Sequence, residues 1–204
     1  MPEPRVPPGR AGRLWLQRRL RTADRAVTLL DRKLRILRTE QERFHLLAER
    51  TGAQWATAQR DAEVWLLRAA VLSGQREIRL STTAAAADVT VRWGSVMGVR
   101  YPVDVTCQVP EPAERGGGTA AMVEATTAYA VALRAAAAHA VAEAARRTVD
   151  AEVARTRQRL HANADRWLPR LRTALHDLTQ RLEESERAET VRLHWAARSD
   201  GGAR

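Results

Sequence analysis

The residues that could do chemistry are few and scattered along the chain. The histidines, at 45, 139, 161, 176 and 194, include no His-x-x-x-His pair, so a zinc-binding helix face is not encoded. Lys33, the only lysine, lies inside a helix-forming segment, and the glycines at 116 to 118 run into Thr119-Ala120-Ala121. A phosphate-cradling loop needs Lys-Ser/Thr there and is absent. Ser95 follows Gly94 without the surroundings of a nucleophile elbow. The acidic run Glu183-Glu184-Ser185-Glu186 has the residue types of an acid/base pair, but Arg181 and Arg187 flank it. Charge pairs at i,i+3 and i,i+4 on a solvated helix account for that run. Cys107 alone forms neither an internal disulfide nor a cysteine metal site, and in a Val-rich extended stretch it reads as a small hydrophobe. No catalytic residue, metal site or cofactor is expected.

Composition points away from a thick core. Of 204 residues 45% are hydrophobic, but 38 of these are alanine and only 4% of the chain is aromatic. Alanine brings little area to a core and lets helices form readily and approach closely. The net charge is +10, carried by 34 Lys+Arg against 24 Asp+Glu. All but one of the cations are arginine, which reflects coding bias as much as function. Residues 13 to 73 hold 13 cations and 7 anions, residues 74 to 118 hold 5 of each, and residues 119 to 204 hold 14 and 11. Because acids interleave with the bases and aromatics do not cluster among them, docking against acidic protein partners is favoured over nucleic acid. No stretch approaches the roughly 18 to 20 apolar residues of a spanning helix, the N-terminus has no apolar signal region, and a reducing, cytoplasmic setting is expected.

Proline and glycine divide the chain. Between Arg13 and Ser73 there is no proline and one glycine, Gly52; between Thr119 and Asp200 there is no glycine and one proline, Pro169. These are the strongest punctuators of regular structure. The first segment carries a seam stepping alternately by four and three: Leu16, Leu20, Ala23, Val27, Leu30, Leu34, Leu37, Gln41, Phe44, Ala48, Thr51, Trp55, Ala58, Ala62, Trp65, Ala69 and Leu72. Such a period implies a left-handed coiled coil, and about 60 helical residues would span roughly 90 Å. Gln41 either specifies register or faces water, and Trp55 and Trp65 read as core or partner contacts. The last segment has its own seam at Leu160, Ala164, Leu168, Leu171, Leu175, Leu178 and Leu182. Two successive four-residue steps there mark a stutter, and Pro169 beside it should bend the helix. Upstream, Val131, Ala135, Ala138, Ala142, Ala145 and Val149 continue a seam of mostly small residues.

The fold expected is all-α dominated: a long antiparallel two-helix coiled coil of the N- and C-terminal helices, with a short middle segment containing β-hairpin-like strands and loops. Its parts are a flexible tail at 1–12, a helix at 13–73, the middle segment at 74–118, a helix at 119–198 and a tail at 199–204. Alternation at Glu77-Ile78-Arg79-Leu80, Val89-Thr90-Val91 and Val103-Asp104-Val105-Thr106 suggests short strands. Pro110, Pro112 and the triple glycine read as a return loop.

Three places resemble the D subunits of the V-type and A-type rotary ATPases. Gly12-Arg13-Leu14 through Leu20, with Leu29-Leu30-Asp31-Arg32-Lys33, is similar to that family's basic opening helix. Val96-Met97-Gly98-Val99-Arg100-Tyr101-Pro102 is similar to its Met-Gly-Val-x-x-Pro element, of which Met97, Gly98, Val99 and Pro102 are the matching positions. Thr156-Arg157-Gln158-Arg159-Leu160, Leu168-Pro169-Arg170-Leu171 and Leu182-Glu183-Glu184-Ser185-Glu186-Arg187 follow its final helix. The resemblance implies a non-catalytic central-stalk rotor that transmits torque between ATP synthesis or hydrolysis in a catalytic hexamer and ion translocation. It implies as partners the A and B subunits, which are the catalytic and nucleotide-binding members of the ring, the F subunit of the stalk, and a membrane-side socket of the C/d type. Neither nucleic acid nor direct membrane insertion is implied. The reading from another class is a generic coiled-coil adaptor or basic nucleic-acid-binding rod.

Overall fold

The computed structural model describes residues 6–81, 86–110 and 119–201. The order is α1 (Gly9–Ser81), β1 (Asp88–Val96), β2 (Val99–Gln108), α2 (Ala120–His161), a π-helical turn (Ala162–Trp167) and α3 (Leu168–Gly201). This is the helix-dominated fold with a two-stranded antiparallel sheet that the sequence predicts. The return loop expected around the triple glycine lies outside the described residues, as do residues 1–5 and 202–204 of the two tails. The chain forms two compact units, one of the residues up to Leu34 with those from Arg155 onward, the other Arg35–Ala154.

In the first unit the opening turns of α1 pair with α3. Leu16 and Leu171 have no exposed surface and form a core with Ala23 and Leu168, flanked by Leu20, Val27, Leu175 and Leu178. Burying each leucine contributes about 2 kcal/mol. Arg10 binds Glu186 at 2.8 Å and Arg172 binds Asp24 at 3.6 Å, so partners descend along one helix as they ascend the other and the pair is antiparallel. α1 begins at Gly9, ahead of the expected start at 13. A side chain at Gly12 would collide with the Pro7 carbonyl oxygen and lie 3.1 Å from Leu178, so the absence of a Cβ lets the N-terminal arm fold back over the first turn.

The stutter predicted around Ala164 takes the form of the π-helical turn. There the Leu168 amide donates to the carbonyl of Asn163, five residues back, and the Asn163 side-chain amide donates to the Arg159 carbonyl at 2.9 Å. The turn absorbs the extra residue that two four-residue steps require. Pro169 is the second residue of α3, just past the turn. The proline lacks an amide and crowds the carbonyl four residues back, and the helix continues past it to Gly201.

In the second unit α1 runs antiparallel to α2, with contacts from Gln41 to Asp150, Thr51 to His139 and Ser73 to Thr119. Small residues line the contact: Ala62, Ala69, Ala121, Ala125, Ala132, Ala142 and Ala145 are buried. Gly74 leaves the helical conformation at φ 74°, ψ 163°, and the chain turns helical again to Ser81. Glu77-Ile78-Arg79-Leu80 is therefore helix, not the strand that its alternation suggests. Ile78 packs against the cluster of Ala69, Met122 and Ala125, and a helix satisfies the segment's backbone without a partner strand.

β1 and β2 form a hairpin joined by Met97 and Gly98, both at positive φ, 49° and 78°. Two consecutive left-handed residues make the type I′ turn, whose twist matches that of the strands. Methionine is costly in that position. Met97→Asn is expected to raise stability by about 0.5 to 1 kcal/mol, read as an upward shift of the urea midpoint at unchanged slope. A lower midpoint would contradict the turn assignment.

Candidate functional site: the docked hairpin and the interhelical polar layer

The hairpin reaches the helices through one end. A two-residue turn makes Val96–Val99 and Gly94–Tyr101 the hydrogen-bonded pairs, so Pro102, opposite Trp93, falls on a non-bonded pair where its missing amide leaves no gap in the ladder. A bulge follows at Val103, since Arg92 pairs with Asp104 and Trp93 with Pro102. Tyr101 is buried against Phe44 in an edge-on contact at 4.9 Å, within a cluster containing Ala145 and Val149 and flanked by Val96. Gly94 has no room for a side chain, because a Cβ there would strike Val103. On the other side Arg100 lies 5.0 Å over the Trp93 ring. Farther out, Arg92 binds Asp104 at 2.9 Å and holds its carboxyl below the usual range, helped by the Val105 amide. The Met97, Gly98, Val99 and Pro102 element thus holds the turn of the hairpin, in Met97 and Gly98, and brackets Tyr101, the residue docked on the helices.

Close by, a polar layer bridges α1 and α2. Gln41 donates to Asp150 Oδ1 at 2.8 Å, His45 Nε2 lies 3.4 Å from the same oxygen, and Arg146 binds Asp150 Oδ2 at 3.0 Å. Of the two readings of Gln41, register marker or water-facing residue, its half-buried bond to the opposite helix favours the first. Arg146 also grips both oxygens of Glu143 at 2.6 and 2.8 Å, and Arg147 reaches the same carboxylate at 3.0 Å. These bonds, Arg146's first, hold the Glu143 carboxyl at about 2. In the unfolded chain it protonates near 4.5, so the stabilisation is complete above that pH and is lost as pH falls from about 4.5 to about 2. For a surface pair this amounts to about 1 kcal/mol or less. Urea midpoints across that window should converge for the native chain and Glu143→Gln; parallel curves would show that the carboxylate contributes nothing.

A second interhelical contact was not legible in the sequence. Gly52 leaves space for the His139 ring, which would lie 3.2 Å from an added Cβ, while Thr51 Oγ1 meets His139 Nδ1 at 3.3 Å. Trp55 stacks on the same ring at 5.6 Å. A lone glycine in a helix-forming run was the only signal.

The seam residues divide by position. Leu16, Leu34, Leu37, Phe44, Leu168 and Leu171 are buried; Leu20, Val27, Leu30, Trp65, Leu160, Leu175, Leu178 and Leu182 are half-buried. Trp55 is 37% exposed and meets α2 through the His139 ring, while Leu72 and Val131 are largely exposed. Beside them, Ala58, Val64, Trp65, Arg68, Ala128 and Val131 line an open groove of about 860 Å³ between α1 and α2.

Among the described residues no group of three or more His, Cys, Asp or Glu side chains could hold a metal ion, and no helix is long and apolar enough to cross a membrane. What the fold defines is a pair of antiparallel helices in each unit, with a two-stranded hairpin docked on the helices of the second. A family model described as the D subunit of ATP synthase matches residues 14–198. The chain belongs to that family, the D subunits of V/A-type ATPases, and is part of the stalk of a rotary ATPase complex. No curated protein matches it.

Proposed function

We propose that this chain is the torque-transmitting rotor of its complex, non-catalytic itself, coupling ATP synthesis or hydrolysis in a catalytic ring to ion translocation across the membrane. The observation that carries the reading is the family match over residues 14–198 on a chain whose helices pair antiparallel in each unit. Torque needs a stiff member, and two helices locked by a seam and by cross-helix bonds resist twisting better than one. A shaft that orders several sites must also present a different face to each.

In this reading segments 13–73 and 119–198 are the shaft and segment 74–118 carries the coupling element. The partners are the catalytic and nucleotide-binding A and B subunits around the paired helices, the stalk's F subunit beside the middle segment, and a C/d-type socket toward the membrane. The complex is peripheral, on the cytoplasmic side, and this chain does not insert. Co-expression of the ring proteins with and without this chain tests the proposal. A stable complex whose ATPase activity depends on the chain is expected; recovery of the same activity without it would overturn the reading.

A further inference from the structure

We propose that Pro169 and the π-helical turn ahead of it form a one-way torsional stop: at this point the helix can loosen but cannot wind up into α-helix. Its use in a shaft under torque rests on the rotor reading above; the stop itself is a property of the chain.

A π-helical turn is rare, and something must hold it against the α form. Three features meet at this one. His161 Nδ1 lies 2.7 Å from Asp165 Oδ2, and the Asn163 side-chain amide donates to the Arg159 carbonyl at 2.9 Å. Both contacts join residues four apart, which are neighbours on an α-helix as well, so neither selects one form over the other. The His161 and Asp165 side chains are also 62% and 63% exposed, where such a pair contributes little. The Pro169 ring does discriminate. In an α-helix it would press on the carbonyl of Asp165, four residues back, and bring no amide to bond it. The turn closes instead on the five-residue bond from the Leu168 amide to the Asn163 carbonyl, immediately before the ring.

Two things thus oppose winding. Converting the turn to α-helix would rotate α3 by about 100°, one residue's share of a turn, and carry Leu168 and Leu171 away from Leu16 and Ala23. That resistance belongs to the α1–α3 seam and yields wherever the seam parts. The ring's resistance is local and persists whatever the seam does. Twisting in the opposite sense opens the turn away from the ring, which has no amide bond to lose, so the stop acts on one side only. In a rotor, torque of the tightening sense would pass this point without being taken up, and torque of the opposite sense would first be absorbed in the turn.

The test separates ring from seam. Deleting one exposed residue of the turn, Arg166, lets the shortened segment run as plain α-helix with Leu168 and Leu171 still in phase, so the seam no longer objects and only the ring does. Urea unfolding is measured on four full chains: native, Arg166-deleted, Pro169→Ala, and both changes together. The deletion should lower the midpoint and Pro169→Ala should restore it, raising the folding equilibrium constant about tenfold more in the shortened chain than in the native-length one. Equal increments in the two backgrounds would overturn the stop. In the native-length chain Pro169→Ala should also speed amide exchange at 163–168 several-fold relative to 175–185, although alanine is the better helix former. Unchanged or stronger protection at 163–168 would overturn the stop as well, and this comparison decides alone if the shortened chains do not fold. Neither measurement involves the catalytic ring, so failure here counts against the stop and leaves the rotor reading untouched.

Discussion

Leu171→Ala should lower the free energy of unfolding by about 2 to 5 kcal/mol, the loss of a transferred side chain plus the cavity left behind. Leu171 has no exposed surface and meets Leu16, Ala23 and Leu168, which helices cannot close up on without shifting the register that Arg10–Glu186 and Arg172–Asp24 share. The matched control is Leu193→Ala, 66% exposed on the same helix, expected within about 0.5 kcal/mol of the native chain. Chemical denaturation of both variants checks this. Similar losses from the two would mean that the α1–α3 contact is not what holds the first unit together.

Phe44→Ala carries the second large effect, about 3 to 5 kcal/mol. Phe44 is 3% exposed and is the edge-on partner of Tyr101, so its removal takes away the seat of the hairpin as well as helix packing. A two-stranded hairpin alone is marginal in water. The undocked strands should therefore open, and amide hydrogens of 88–96 and 99–108 should exchange faster than those of α3. Unchanged protection in the strands would show that the hairpin stands without Phe44.

The helices were readable because their information is local. A seam repeated every three or four residues announces its period within any short window, and a stretch free of proline and glycine says where it can run. The hairpin was half readable. Alternation at Val89-Thr90-Val91 and Val103-Asp104-Val105-Thr106 marked strands, but Met97-Gly98 lacks the Asn-Gly signature of a type I′ turn, and nothing local tells that Tyr101 lands on Phe44. Glu77-Ile78-Arg79-Leu80 misled because four residues alternate by chance as easily as by design. The polar layer depends on pairs such as Gln41 with Asp150, more than a hundred positions apart in sequence, and nothing in the spacing of Trp55 tells that its ring meets His139.

A chain that is the turning member of its complex can be watched turning. With the catalytic ring fixed to a surface and a bead attached to this chain near the hairpin, ATP should drive rotation in one direction that stops when ATP is exhausted. A bead that stays fixed while the same ring hydrolyses ATP would contradict the rotor role.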